Sequence, residues 1–274
     1  MSDRRPRLGG MALANGLLVH GPTHWAAAVR EEDGSVSVAS GAKPRLVVGP
    51  LGGVPLVRGV LRLGEAIAVL PAMRRGMPQA RFAVEGRGGP AGLAAAMILG
   101  AVARRKLRSP LAQEAAAAVV GLIPALVSLR GSRAAVWHAV EHKSIAAYEQ
   151  GGPAEVANAA AHPKEHPRCG SNLVLPLLVS TTITNLATRR LRGATGPAVR
   201  AAAGAVSAGM AVELFAFAHR KPEHPVSRLV HSAGHTLQAR LATKEPDPED
   251  LEVGGAAMRA LFRAEGIPEG AGPA

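Results

Sequence analysis

The sequence predicts an α+β fold: a small N-terminal β-rich module followed by a mostly helical, membrane-associated body with two apolar helical hairpins. Three observations predict it. Short apolar runs separated by turn signals fill residues 8–60, four longer apolar segments follow in two pairs joined by basic connectors, and the composition suits close helix packing. Aromatic residues make up 3% of the 274-residue chain against 47% apolar residues, and 32 residues are glycine. A core built mainly on alanine, valine and leucine lacks large anchors, whereas small residues let helix backbones approach closely in a bilayer.

Residues 17–19, 25–30 and 35–38 read as strands, with Gly21-Pro22 and Glu32-Asp33-Gly34-Ser35 as turns. Asp-Gly between two such runs is a hairpin cue. Residues 46–48 are a further candidate strand. The apolar stretch at 11–19 is short and broken by Asn15 and Gly16, so a cleaved leader is not expected. Residues 56–73 place Val57, Val60, Leu61, Gly64, Ile67 and Ala68 at helical spacing, the pattern of an amphipathic helix.

The four apolar segments fall at roughly 91–103, 115–129, 173–188 and 198–218. A full span needs about 20 apolar residues. The first two are short, and Arg200 and Glu213 interrupt the fourth, so buried helices of a soluble domain are the competing reading. Residues 134–150 read as a helix stopped by Gly151-Gly152. Asp247-Pro248-Glu249-Asp250 is a helix start, with an N-cap aspartate, proline at the first position and acids in the first turn. The predicted organisation is a β-rich cytoplasmic module at 1–89, apolar hairpins at 90–130 and 173–218, a His/Glu/Cys segment at 131–172 between them, and a cytoplasmic tail with its helix at 219–274.

The formal net charge is +12. Its arginines cluster beside apolar runs (Arg74-Arg75, Arg104-Arg105-Lys106, Arg189-Arg190), as expected of residues collaring membrane segments. One tyrosine and four phenylalanines are too few for a base-stacking platform, so nucleic acid is not the expected partner. If all four segments span, most Lys and Arg fall on the side of the termini and the His/Glu/Cys segment, which places that side in the cytoplasm. Both short opposite connectors are also basic, so hairpins that dip in and return, or that pack against a protein partner or a second copy, fit as well. A single cysteine excludes an intramolecular disulfide.

The densest chemistry is His138-Ala-Val-Glu141-His142, followed by His166-Pro-Arg168-Cys169. Histidines four apart lie one helical turn apart on one side, where both rings can reach one ion. Glu141 sits beside that face, in the inverted zincin pattern. His138, His142, His166 and Cys169 would make a closed four-ligand set for a divalent cation, best zinc, and such closed sites are structural. Glu141 would then orient a histidine. With three ligands and a water, Glu141 becomes the general base of a metal-dependent hydrolase. The four-ligand count tilts toward a structural or regulatory metal; both readings stand. Arg168 would lower the Cys169 thiol pKa. Lys143, Lys244 and Glu245 are candidates to line the site. His231 and His235 are expected at the surface, and His162, His219 and His224 in loops.

Trp137 to Lys143, Tyr148-Glu149, the His166–Gly170 run, and Thr243 to Pro246 with Leu251 to Val253 resemble the YqhQ-like family of uncharacterised bacterial membrane proteins. Leu8-Gly9-Gly10, Asp33-Gly34 and the stretch from Arg58 through Glu65 extend the resemblance over nearly the whole chain. It implies a protein of the bacterial inner membrane, with the bilayer as partner, and a predicted metal-dependent enzyme of no stated reaction. A non-catalytic membrane scaffold braced by a metal is the alternative. The chain departs from the family pattern at Met11 and Asn15, where a polar amide and a glutamate are usual, and at Ala147, often cysteine. A catalytic role for the missing glutamate would make this member altered; a structural one would leave Asn15 to keep a hydrogen bond.

Overall fold

A computed structural model of the chain describes residues 5–44, 53–85, 89–129, 132–190 and 196–268. Four strands, β1 (Gly9–Ala12), β2 (Gly16–His20), β3 (His24–Arg30) and β4 (Val36–Ala42), form one antiparallel sheet in sequence order. The last three are the predicted runs. β1 carries no strand signal, because Gly9-Gly10 is poor strand material; it forms by pairing with β2, from Gly9 opposite His20 to Ala12 opposite Leu17. The predicted hairpin joins β3 to β4, with Arg30 opposite Val36. The candidate strand at 46–48 lies outside the described residues.

Among the described residues eight α-helices follow: α1 (Val57–Gly76), α2 (Gly89–Lys106), α3 (Pro110–Leu129), α4 (Arg133–Gly151), α5 (Val174–Arg190), α6 (Pro197–Arg220), α7 (Pro225–Leu237) and α8 (Pro248–Glu265). Side chains alternate across the sheet. Leu17, Val19, Ala26 and Ala28 share a core with α4 and α8, while Leu18, Trp25, Ala27 and Val29 share one with α1. Because both faces are covered, β2 and β3 read as continuous apolar runs instead of alternating ones.

α2 packs on α3 and α5 on α6, as the two predicted hairpins, and α3 joins them by lying against α5. Glu114 of α3 is buried at this junction, meeting Arg104 of α2 at 3.2 Å, Arg189 of α5 at 3.0 Å and the Asn185 amide at 2.8 Å. A buried carboxylate is tolerable only when paired in this way. Among the described helices, α6 alone is long and apolar enough to cross a membrane, with an 18-residue stretch of mean hydropathy 1.6 within its 24 residues; residues 110–124 are apolar but shorter. The expected four apolar segments thus reduce to one candidate span. α5, of 17 residues, is shorter than such a span, and it meets α6 through hydroxyls: Ser207 bonds Ser180 at 3.1 Å and Thr181 at 2.7 Å. Glu213 does not interrupt α6, because the Arg58 guanidinium of α1 grips both its oxygens, at 2.7 and 2.5 Å.

α8 closes the sheet. Val253, Met258, Leu261 and Phe262 are buried on the sheet and α4, and the Phe262 ring lies 5.2 Å from that of Tyr148. Its first turn starts at Asp247, as expected, and Asp250 there pairs with Arg133 of α4 at 2.5 Å. At its other end the Glu265 carboxylate accepts from the Thr23 amide at 2.8 Å, the Thr23 hydroxyl at 2.6 Å and the His24 amide at 2.7 Å. Burial works against the charge, but these donors outweigh it and hold the carboxyl below its usual 4.5. A depressed acid contributes stability above its unfolded pKa and loses it as pH falls through the folded value. We therefore expect Glu265→Gln to cost about 1–3 kcal/mol at neutral pH. The gap to wild type should close below pH 4.5, as read by melting curves across the acid range.

Candidate metal centre

α4 is buried on nearly every side, between the sheet and α8 on one face and the segment 162–173 on another. It runs longer than the expected 134–150 by one residue at each end and stops where Gly152, at φ 84°, leaves the helix. His138, Glu141 and His142 face the 162–173 segment. From there Cys169 approaches, and the donor atoms of His138, His142 and Cys169 all lie within 4.8 Å of one another. These three form a group able to hold a metal ion.

The proton positions follow from the partners. His138 Nδ1 lies 2.9 Å from the Ala242 carbonyl and His142 Nδ1 2.6 Å from the Lys164 carbonyl. A carbonyl only accepts, so each Nδ1 carries a hydrogen, and Nε2 is the ring atom turned toward the centre. His138 Nε2 is 3.2 Å from Cys169 Sγ, and His142 Nε2 is buried with no hydrogen-bond partner among the described residues. Main-chain acceptors behind histidine rings are what orient metal ligands. Burial, and next His138, hold the His142 pKa well below 6.5, so that ring is neutral, as a ligand must be.

Glu141 places Oε2 at 4.0 Å from His138 Nε2 and 3.8 Å from His142 Nε2. Burial pushes its pKa up to about 7, against the pull of His138. The Cys169 thiol is pushed up to about 11 by burial and then by Glu141, with Ser171 opposing. This corrects the expectation that Arg168 lowers it. The Arg168 guanidinium is turned onto Glu149 and the Leu8 carbonyl instead.

Three of the four expected ligands therefore meet, and the fourth is occupied elsewhere. His166 Nε2 pairs with Glu149 at 3.2 Å, and its Nδ1 accepts from the Arg168 amide at 3.3 Å. Its backbone is clamped by Gln238, which accepts from the His166 amide at 2.7 Å and donates to its carbonyl at 3.3 Å. His166 and Arg168 still line the cleft of about 380 Å³ that opens over His138, Glu141, His142 and Cys169. Lys143, Lys244 and Glu245 are not among the lining residues. Lys143 is buried and donates to the carbonyls of Ala160 and His162 while pairing with exposed Glu245 at 2.6 Å. Lys244 is exposed, its amide bonded to the Ala135 carbonyl.

Sequence reasoning missed several participants. Gly10 of β1 lies against Glu141: a Cβ there would stand 2.6 Å from Glu141 Cγ. Glu149 shares the helical stripe of His138, Glu141 and His142 that the sequence shows, but its pairing with His166 and Arg168 is not legible there. Gln238 and Ala242 belong to a single π turn, Gln238–Ala242, at the end of α7, which no spacing announces. His219 lies within α6, not in a loop. Asn15 is far from the centre; its side chain donates to the Gln79 carbonyl at 3.1 Å and accepts from the Arg81 amide at 3.0 Å, so it keeps structural hydrogen bonds.

Fold and centre together define an α+β protein in which a sheet-backed helix presents two imidazoles and a buried thiol to one point. The chain belongs to the family described as "Protein of unknown function (DUF1385)", which matches residues 120–264 and so contains all three donors and Glu141. It is 30% identical over 133 residues to the "Uncharacterized protein YqhQ" of Bacillus subtilis (strain 168), a match covering 48% of this chain and 42% of that relative's length. No solved structure matches the chain significantly.

The Gly10 contact is testable through stability. Gly10→Ala should cost about 1–3 kcal/mol by overpacking. Adding Glu141→Asp, whose carboxyl is one methylene shorter, should recover part of that loss in a double-mutant cycle read by thermal denaturation. Simple additivity of the two substitutions would mean that the contact does not carry the cost.

Proposed function

We propose that the chain is a membrane-associated, metal-dependent hydrolase that binds zinc at His138, His142 and Cys169 and uses Glu141 as its base. The single observation that carries this reading is the donor count. Three protein donors converge while His166 is committed to Glu149, and catalytic zinc sites use three protein ligands with a fourth position open. That open position weighs against a metal that only braces a scaffold. A bound divalent cation supplies Lewis acidity and lowers the pKa of a coordinated water toward 7. Glu141, buried and with its pKa pushed up to about 7, would serve as the base for such a water and would return the proton to a leaving group. The cleft wall of Gly9, Gly10 and Met11 admits a substrate alongside β1.

The membrane part rests on α6 and on apolar side chains that face outward from the hairpins: Leu93, Met97 and Ile98 of α2 are 58%, 70% and 64% exposed, and Val119 of α3 and Ile183 of α5 about half. Exposed apolar surface of this extent marks contact with lipid or protein. With the basic collars and the family resemblance, this favours the bacterial inner membrane, with the metal centre on its cytoplasmic side.

The test is cobalt substitution of purified full-length chain. We expect a thiolate-to-cobalt charge-transfer band that disappears in Cys169→Ser, and about one metal per chain in wild type against almost none in His142→Ala. Glu141→Gln should keep metal and band but lose hydrolysis of a panel of esters, amides and phosphoesters by about 100-fold or more. No stoichiometric metal in wild type, or full hydrolysis by Glu141→Gln, overturns the reading.

A further inference from the structure

The sheet has two edges. β1, at one, lies against α4 and borders the metal cleft. β4, at the other, pairs only with β3 among the described residues. The ends of that pairing show which main-chain groups of β4 it takes. The Glu31 amide donates to the Ser35 carbonyl at 2.9 Å, and the Lys43 amide to the Thr23 carbonyl at 2.7 Å. Alternate residues of an antiparallel ladder bond inward, so Ser37, Ala39 and Gly41 face β3 as well. The amides and carbonyls of Val36, Val38, Ser40 and Ala42 point away from the sheet, and no described residue bonds them.

Edges of this kind are ordinarily guarded by a lysine, a proline, a bulge or shortness. β4 has none of these: it runs seven residues in unbroken register, without a charge or a proline. Val36 and Val38 are 39% and 43% exposed. Val38 stands opposite Ala28, so both valines lie on the sheet face that carries α8, which touches β4 without covering them. The charges sit beyond the ends of the strand, and they differ in sign. Asp33 precedes it, its carboxylate accepting only from Ser35 in its own turn. Lys43 follows it, and among the described residues its Nζ is met by His20 Nδ1 at 3.4 Å and by no carboxylate.

We propose that β4 pairs with β4 of a second copy of this chain, antiparallel about a twofold axis at Ala39, making one sheet across two molecules. The edge is self-complementary in that register. Val36 stands opposite Ala42 and Val38 opposite Ser40, so every outward amide and carbonyl finds its counterpart, two bonds to each pair. The same twofold sets Lys43 of one copy opposite Ser35 of the other, on the diagonal from its Asp33. No like charges meet along the strand. An unrelated extended peptide satisfies the main chain but not both charged ends. Identical patches meeting about a twofold are the usual geometry of a homodimer. The valines of both copies then form the floor between two α8 helices. The metal clefts lie at the far edges, beside β1 of each copy, so this inference stands apart from the hydrolase reading.

Sedimentation equilibrium of the full-length chain in density-matched detergent, across the micromolar range, should show a monomer–dimer equilibrium. Val38→Lys places a guarding charge at an exposed edge position and sets two cations close to the axis. It should weaken the dimer by about tenfold or more while far-UV circular dichroism stays as in wild type. Cross-linking reads the register. At Ala39 the two copies meet as a non-hydrogen-bonded pair with Cα atoms about 4.5 Å apart, within disulfide range. Ala39→Cys should therefore link on oxidation, whereas Val36→Cys, whose copies stand about 20 Å apart in this register, should not. Wild type, with Cys169 buried, should not link either. A monomeric wild type overturns the proposal, whether its edge is left open or taken by another protein or another segment of the chain. So does a dimer untouched by Val38→Lys, which the apolar hairpins would then hold, or linking at Val36 as readily as at Ala39.

Discussion

Two hydrogen bonds from ring to main chain set the character of the centre. Because the carbonyls of Ala242 and Lys164 can only accept, they fix both Nδ1 protons and turn both Nε2 atoms toward the centre. The acceptors come from far apart in sequence, one from the π turn after α7 and one from the segment after α4. The folded arrangement of α4, α7 and the 162–173 segment is therefore what aims the rings of two histidines that would otherwise rotate freely. Burial then sets the rest: it keeps His142 uncharged and brings Glu141 to titrate near neutrality.

The sheet supports this arrangement through packing. Its two faces are served by α1 on one side and by α4 and α8 on the other, so the segment that bears the centre is held by elements from both ends of the chain. Polar contacts within the helical body do similar work, with Glu114 tying three helices and Glu213 tying α1 to α6. Glu213 looks like an interruption of an apolar segment in one dimension; in three it is paired.

What the sequence made legible was local. Spacing of four placed His138 and His142 on one helical face, and the Asp-Gly turn and the Asp-Pro helix start both occur where local chemistry puts them. Cys169 could be named because soft ligands are few in this chain. What escaped was tertiary. His166 has the right chemistry but is drawn away by Glu149 and Gln238, whose approach depends on how α4 and the end of α7 pack. Arg168 lies beside the thiol in sequence, yet its charge is spent on Glu149. β1 exists only because β2 offers it a partner, and the closeness of Gly10 to Glu141 depends on that pairing.

Thr23 and Glu265 stand 242 residues apart, yet the last turn of α8 is fastened to the turn between β2 and β3. During synthesis the sheet is made first and its covering helix last, with all the apolar hairpins emerging in between. Until α8 is made, α4 alone covers the sheet face that the two helices share. The order of synthesis therefore leaves the last apolar surface of the sheet to be covered by the carboxyl-terminal helix.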